Sequence, residues 1–365
     1  MNNLLVVSHS PHISGRESIQ SIMRDVVIAL IPSLIAGMLV FGYRAGVVTV
    51  LSVLACVFFE WAWEKLLKKK STIGDLSAVV TGMLLAFNLP VTIPLWMVVI
   101  GALFSIVIVK QFFGGLGHNF MNPALAGRAF LLASWSLAMT TWVAPGTSVP
   151  FWNTADVVTS ATPLAAYADG GDLPSYLNLF LGYTGGCIGE TSVLAILIGA
   201  AYLLCRKVIK LRVPVIYIAI VALGAWIFGG KDGFFTGDAL YQIMAGGLML
   251  GAFFMATDYT TTPYTPKGQI IFALGCGIIT VLIRFWGGYP EGCSYSILLM
   301  NVATPLIDKL TQPKRYGETR AAKREAKAKA KKEEQEKADK RKNADKISTQ
   351  KRNKKNSGSV KKNRR

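Results

Sequence analysis

Apolar positions in this chain come in long blocks, without the strict two-residue alternation of strands and with few interruptions by charge. A hydrocarbon core of about 30 Å asks for roughly 20 mainly apolar helical residues. Runs that approach this length occupy 22–41, 45–63, 76–89, 93–109, 124–142, 188–204, 213–228, 240–256, 270–286 and 295–307. Several are short, and the third and tenth read as broken or tilted helices. The first run begins at the polar stretch carrying Arg16 and Arg24, continues to Phe41 without an A-x-A cleavage pattern, and reads as a retained span. The pattern therefore predicts an all-α integral membrane protein of about ten transmembrane helices.

The basic residues between these runs alternate in side. With the N-terminus inside, the inner loops hold Lys65, Lys68, Lys69 and Lys70, then Lys110, then Arg206, Lys207, Lys210 and Arg212, then Lys267. The outer side or its edge receives Arg44, Lys231 and Arg284. An excess of Lys and Arg marks the cytoplasmic side, so the sequence predicts both termini in the cytoplasm and a multi-pass chain in the cell (inner) membrane. The longest connection, 143–187, contains no Lys or Arg and is assigned outside. A long connection without predicted structure inside a compact protein is usually functional.

Ten spans divide into five and five, and an odd number per half inverts the second half relative to the first. Phe113-Gly114-Gly115-Leu116-Gly117 leads to Asn122-Pro123, while Trp286-Gly287-Gly288-Tyr289-Pro290 leads to Asn301 and Pro305. This weak similarity predicts two inverted five-helix repeats, an arrangement that places ligand or ion sites at the interface of the halves. Recurrence of Gly, Asn and Pro at helix ends explains the same similarity equally well. The predicted organisation is an N-terminal cytoplasmic segment 1–20, a first half 21–142, the outer loop 143–187, a second half 188–308 and a basic cytoplasmic tail 309–365.

Composition agrees with the pattern: of 365 residues, 52% are hydrophobic and 16% charged. The net charge of +18 raises nucleic acid as a partner, but its distribution answers that question. From Thr311 onward there are 22 Lys/Arg against 7 Asp/Glu, and before it 17 against 14. The charge belongs to a tail that reads as a solvated, partly disordered or lipid-associated extension, so nucleic acid is not an expected partner. Five cysteines without a C-x-x-C pair, and His9, His12 and His118 scattered along the chain, supply neither a disulfide framework nor a metal cluster. Any redox cofactor is expected to be organic, and no metal site is expected.

The outer loop carries Asp156-Val157-Val158-Thr159-Ser160-Ala161-Thr162-Pro163. Locally this is a helix start, with Thr162 as N-cap and Pro163 at the first helical position. The spacing Asp-x-x-[Ser/Thr]-x-Ala-Thr also resembles the acceptor sequence on which a flavin transferase esterifies flavin mononucleotide (FMN) to the last threonine. Together with Gly114-Gly115-Leu116-Gly117-His118-Asn119, Asn122-Pro123-Ala124, Arg128-Ala129-Phe130, Met255-Ala256-Thr257-Asp258 and Gly287-Gly288-Tyr289-Pro290-Glu291-Gly292, it makes the chain similar to the RnfD family of Rnf complexes. These complexes are ion-translocating ferredoxin:NAD oxidoreductases. The chain is also similar to the corresponding membrane component of the sodium-pumping NADH:quinone reductase. The resemblance runs from about Ser14 to Asp308 and leaves out the basic tail.

The resemblance implies covalent FMN at Thr162, with Asp156, Thr159, Ser160 and Ala161 as the attachment motif. Ser160 stands where the family commonly has glycine. It further implies a second, non-covalent flavin such as riboflavin near the inner face, with Asn119, Asn122, Arg128 and Asp258 as polar lining. The implied partners are the other Rnf subunits, among them a second flavoprotein subunit and iron–sulfur subunits, together with the flavin transferase and membrane lipid. Physically, free N–H groups at the helix start after Thr162 favour the negative charge a phosphodiester retains.

Arg128 has two readings, neutralising the flavin or its phosphate, or snorkelling or pairing with a carboxylate. Asp258 reads first as a helix-end cap. Glu60 and Glu64 beside Trp61 and Trp63, with Glu64 four residues before Lys68, read as an interfacial ion pair and aromatic belt. Cys187 and Cys293 both fall near the outer surface. No side chain is singled out as a catalytic acid or base, and Gly114-Gly115-Leu116-Gly117 lacks the preceding strand of a nicotinamide fingerprint. Two functions are therefore weighed. One is a membrane electron-transfer subunit relaying electrons through FMN, coupled to sodium or proton translocation. The other is an inverted-repeat transporter or channel without a redox cofactor.

Overall fold

The computed structural model describes residues 18–69, 71–147, 159–171, 173–230, 233–288, 291–313 and 328. Asp156 and Lys231 lie outside the described residues, as do Tyr289 and Pro290 and nearly all of the N-terminal segment and basic tail. The chain divides into two compact units, Met1–Thr311 and Gln312–Arg365, and every helix named below belongs to the first.

The described residues are helical apart from one isolated β-bridge. Three helices are long and apolar enough to cross a membrane: α1 (Ile19–Phe41), α2 (Tyr43–Leu66) and α13 (Pro266–Trp286). Shorter apolar helices are α3 (Ser77–Phe87), α4 (Leu95–Leu103, prolonged by a π-helical stretch to Gln111), α9 (Val193–Cys205) and α10 (Arg212–Phe228). Between them lie α5 (Pro123–Ser134), α6 (Ser136–Met139), α7 (Pro163–Asp169), α8 (Tyr176–Leu181), α11 (Ala239–Met244) and α12 (Leu248–Leu250), and α14 (Cys293–Thr311) follows. Large apolar side chains such as Leu39, Leu54, Ile198, Leu282 and Leu299 stand exposed on the long helices. A surface this apolar needs a hydrocarbon surrounding, which identifies a membrane protein.

Helix starts follow local chemistry. The pairs Asn122-Pro123, Thr162-Pro163 and Thr265-Pro266 each open a helix, the first residue capping with its side-chain oxygen and the proline filling the first turn. The predicted spans fare unevenly where tertiary contacts intervene. The third is short but unbroken, and the tenth runs as one 19-residue helix through Pro305, so neither is interrupted as expected. The fifth and eighth break instead. α5 stops at Trp135, whose backbone leaves helical space, and α6 follows. The eighth opens at Ala245-Gly246-Gly247, with Gly246 at a positive φ of 69°. There Arg284 donates to the carbonyls of Gln242 and Ala245 at 2.6 and 3.3 Å, supplying donors that a broken helix in hydrocarbon otherwise lacks.

The predicted sixth span loses its first turn. Residues 188–190 instead bond to the end of α3, with Ile188 N donating to Leu89 O and Gly189 N to Phe87 O, both at 3.1 Å. The buried turn after α3 is held in turn by Arg44, which donates to Val91 O at 2.8 Å and Ile93 O at 3.2 Å. The loop 143–187 is not structureless either, since it contains α7 and α8.

α2 packs on α3 and α4, α10 on α13, α13 on α14, α1 on α9, and α5 on α14. Small residues permit these approaches. A Cβ on Gly199 of α9 would run into the carbonyl of Ala29 on α1. Gly199→Leu is therefore expected to cost about 1–3 kcal/mol or more by overpacking and to lower the melting temperature in detergent. A variant that melts like the parent would show that α1 and α9 do not depend on this approach.

Candidate functional site

The stretch from Thr159 to Thr162 reaches its place as a short extended segment. Thr159 bridges antiparallel to Val143, and Ser160 N donates to Trp142 O at 3.1 Å. The chain then turns into α7, with Thr162 Oγ1 accepting from Ala165 N at 3.2 Å. The helix is seven residues long, so its dipole is small, and the charge-holding role expected of the helix start falls largely to another residue.

That residue is Arg128. The four residues Thr159, Ser160, Ala161 and Thr162 line one side of a cavity of about 640 Å³, and Arg128 and Trp142 line it with Tyr295 and Glu291. Ligand pockets of roughly 300–1,000 Å³ take cofactor-sized molecules, so this cavity has room for FMN. Thr162 is 3% exposed but borders the cavity, so its hydroxyl faces that space rather than bulk solvent. Ser160 Oγ is buried without a hydrogen-bond partner and packs against Gly185, which leaves no room there for a Cβ.

Arg128 is buried in the middle of α5 and makes a direct ion pair with Glu291. It also donates to Ser294 Oγ at 2.8 Å and Asn88 Oδ1 at 3.2 Å. Of its two readings, pairing with a carboxylate and facing the Thr162 cavity are both realised, while snorkelling is not. Arg128 does not group with Asn119, Asn122 and Asp258. Those three line a different cavity, at the other end of α5, together with Lys110 and the turn after residue 255.

In that second cavity Asn122 Oδ1 is committed to the α5 N-terminus, accepting from Ala124 N at 3.0 Å and Leu125 N at 3.3 Å. Asn119 Oδ1 is buried without a partner. Asp258 closes the turn as a cap, accepting from Thr260 Oγ1 at 2.9 Å and Thr261 Oγ1 at 3.2 Å. The cavity measures about 90 Å³, below the roughly 300 Å³ at which ligand pockets begin, so in this conformation it does not fit a flavin.

Burial raises the Asp258 carboxyl above its usual value. The charged form is thus the disfavoured one: this burial cost is absent at low pH and sets in as pH rises through the folded value. Asp258→Asn keeps an acceptor for the threonines and removes the charge. It is expected to match or exceed the parent's stability above neutral pH and to lose that advantage in acid. Thermal unfolding across pH checks this, and a variant weaker at high pH would contradict it.

Glu60 and Glu64 are not an interfacial pair with Lys68. Both are buried, and Lys110 Nζ meets Glu60 Oε1 at 2.7 Å with side chains 1% and 0% exposed. Gln111 Nε2 adds a bond to Glu60 at 2.9 Å, and Thr72 caps Glu64 through its amide at 3.0 Å and its hydroxyl. Lys110, read from sequence as a loop residue, is therefore an internal partner. Cys187 and Cys293 are both buried and free. Sequence reasoning also passed over Glu190, although a carboxylate at the head of an apolar run is costly enough to demand an explanation.

Known proteins place the chain. Residues 6–317 match the model of the NQR2, RnfD, RnfE family. Three relatives are components of the RnfD type from redox-driven ion pumps. The chain is 53% identical over 333 residues to that of the Na(+)-translocating ferredoxin:NAD(+) oxidoreductase complex of Acetobacterium woodii, covering 90% of this chain and 100% of the relative. It is 48% identical over 328 residues to that of the proton-translocating ferredoxin:NAD(+) oxidoreductase complex of Clostridium ljungdahlii, covering 87% and 98%. The counterpart in an ion-translocating oxidoreductase complex of Halorhodospira halophila is 36% identical over 338 residues, covering 85% and 95%. With a family model spanning most of its length and relatives this similar, the chain belongs to the NQR2, RnfD, RnfE family.

Proposed function

We propose that this chain is the membrane electron-transfer subunit of an ion-translocating ferredoxin:NAD oxidoreductase, with FMN esterified to Thr162. One observation carries the reading: the attachment motif and Arg128 border a single cavity of about 640 Å³. The flavin supplies electron-transfer chemistry that no side chain here offers. The chain supplies position and charge. Thr162 provides the hydroxyl for the bond, Arg128 balances negative charge in the cavity, and Trp142 and Tyr295 give it aromatic walls.

Burial of Arg128 strengthens its effect, because a cation surrounded by protein is screened far less than one in water. The chain is oriented with the 143–187 loop outside the cell membrane and both termini in the cytoplasm, supported by the asymmetry of Lys and Arg. The two inverted five-helix halves are supported by matching contacts: α2 with α4 in the first half, α10 with α13 in the second, and α5 against α14 between them. Other members of the complex, a second flavoprotein and iron–sulfur proteins among them, deliver and remove the electrons, and a flavin transferase matures the chain. Sodium or protons are the coupled ion.

Mass spectrometry of the peptide containing Thr162 tests the reading directly. Protein made with its transferase is expected to yield that peptide heavier by FMN less one water. An unmodified peptide from competent cells would overturn the proposal and favour the cofactor-free transporter.

A further inference from the structure

Beside the Thr162 cavity lies a second polar cluster that the flavin reading leaves unused. Cys187, Glu190 and Glu291 bring one ligand atom each to within 4.8 Å of one another. Glu190 is 4% exposed; its Oε1 accepts from Cys187 N at 3.0 Å, while Oε2 has no hydrogen-bond donor. Glu291 gives Oε2 to Arg128, and its Oε1 is buried without a donor. The hydroxyl of Thr191, a residue 5% exposed, is likewise buried without a partner. Glu190, Glu291 and Thr191 line the same small cavity of about 10 Å³. Gly247 closes in on it, since a Cβ there would come within 2.8 Å of Glu190 Oε2.

We propose that Glu190, Glu291 and Thr191 form a site for one dehydrated monovalent cation of about sodium's size. The inference rests on the proposed function only for the cation's part in translocation; the binding itself needs no flavin.

Charge, ligand type and space each point to that class. Two buried carboxylates face one contacting cation, Arg128. Arg284 is also near but spends its donors on Gln242 and Ala245. One carboxylate charge is left without a contact partner, a costly state in a buried site that a single positive charge relieves. Cys187 Sγ donates to Asn88 O at 3.3 Å and so keeps its proton, which removes the thiolate a soft metal prefers. The remaining ligands are oxygens, suited to a hard cation. A space of about 10 Å³ holds a single water-sized particle, so the ion enters stripped of its hydration shell. A proton shared by the two carboxyls would satisfy Glu190 and Glu291 but leave the Thr191 hydroxyl without a role.

Equilibrium binding of radioactive sodium to the full chain, purified in detergent near neutral pH, tests this. One saturable site per chain is expected, with lithium competing better than potassium. Glu190→Gln is expected to weaken binding at least tenfold and Thr191→Val several-fold. Sodium is expected to raise the melting temperature of the parent but not of Glu190→Gln, and Thr191→Val, being nearly isosteric, keeps the test usable if Glu190→Gln folds poorly. Absence of binding to the parent would overturn the proposal, as would equal binding by both variants. So would an infrared band of a protonated carboxyl that ignores sodium and vanishes in Glu190→Gln, the mark of a shared proton. The assay runs on protein made without the transferase, so failure of flavin attachment at Thr162 and failure of this site are read separately.

Discussion

Thr162→Ala is expected to abolish flavin fluorescence from the denatured polypeptide entirely while leaving the protein in the membrane. Alanine has no oxygen to carry the ester, so the loss is complete rather than graded. The structural cost is small, since removing an N-cap side chain costs about 1 kcal/mol and α7 is only seven residues long. The measurement is fluorescence under ultraviolet light after denaturing electrophoresis, with parent and variant both made alongside the transferase. Thr162→Ser retains a hydroxyl at the same cap and is expected to keep part of the signal. A bright Ala variant would put the flavin on another residue. Neighbouring hydroxyls are poor substitutes in this geometry: Thr159 is exposed in the bridge to Val143, and Ser160 Oγ is turned toward Gly185.

Arg128→Met should destabilise the protein by about 3–5 kcal/mol, because removing one member of a buried ion pair leaves the other charge uncompensated. Glu291 would be that charge, and Ser294 and Asn88 would each lose a donor. The double variant Arg128→Met/Glu291→Gln is expected to recover much of the loss, since it removes both charges together. Thermal unfolding in detergent, analysed as a double-mutant cycle, separates the pair from its surroundings. Additive losses in the cycle would mean that Arg128 is held by its hydrogen bonds alone. Arg128→Lys keeps the charge but not the planar fork that serves three partners at once, and is expected to fall between parent and Met.

The candidate site was legible in sequence to the extent that its chemistry is local. Thr162 and Pro163 declare a helix start by their own side chains, and the structure builds the cap they predict. The same holds for Asn122-Pro123. Arg128 was visible as a costly charge, but its partner was not, because Glu291 lies 163 positions away. Grouping Arg128 with Asn119 and Asn122 followed their closeness in sequence. Helix α5 separates them along its length, so one end serves one cavity and the other end another.

Hydropathy by itself determined that this is a helical membrane protein, and the ferredoxin-complex resemblance was carried by short contiguous motifs. Both are properties of neighbouring residues, since a helix satisfies its own backbone and an apolar run needs only hydrocarbon around it. Tertiary structure alone decided where spans break and which charges survive inside. Arg284 stabilises the opening at Gly246 from another helix. Lys110 reaches Glu60 across 50 positions, and segment 187–190 abandons helix to bond with the end of α3. In a low-dielectric interior an unpaired charge or free carbonyl is expensive, so its partner is found in three dimensions, wherever packing brings one within reach.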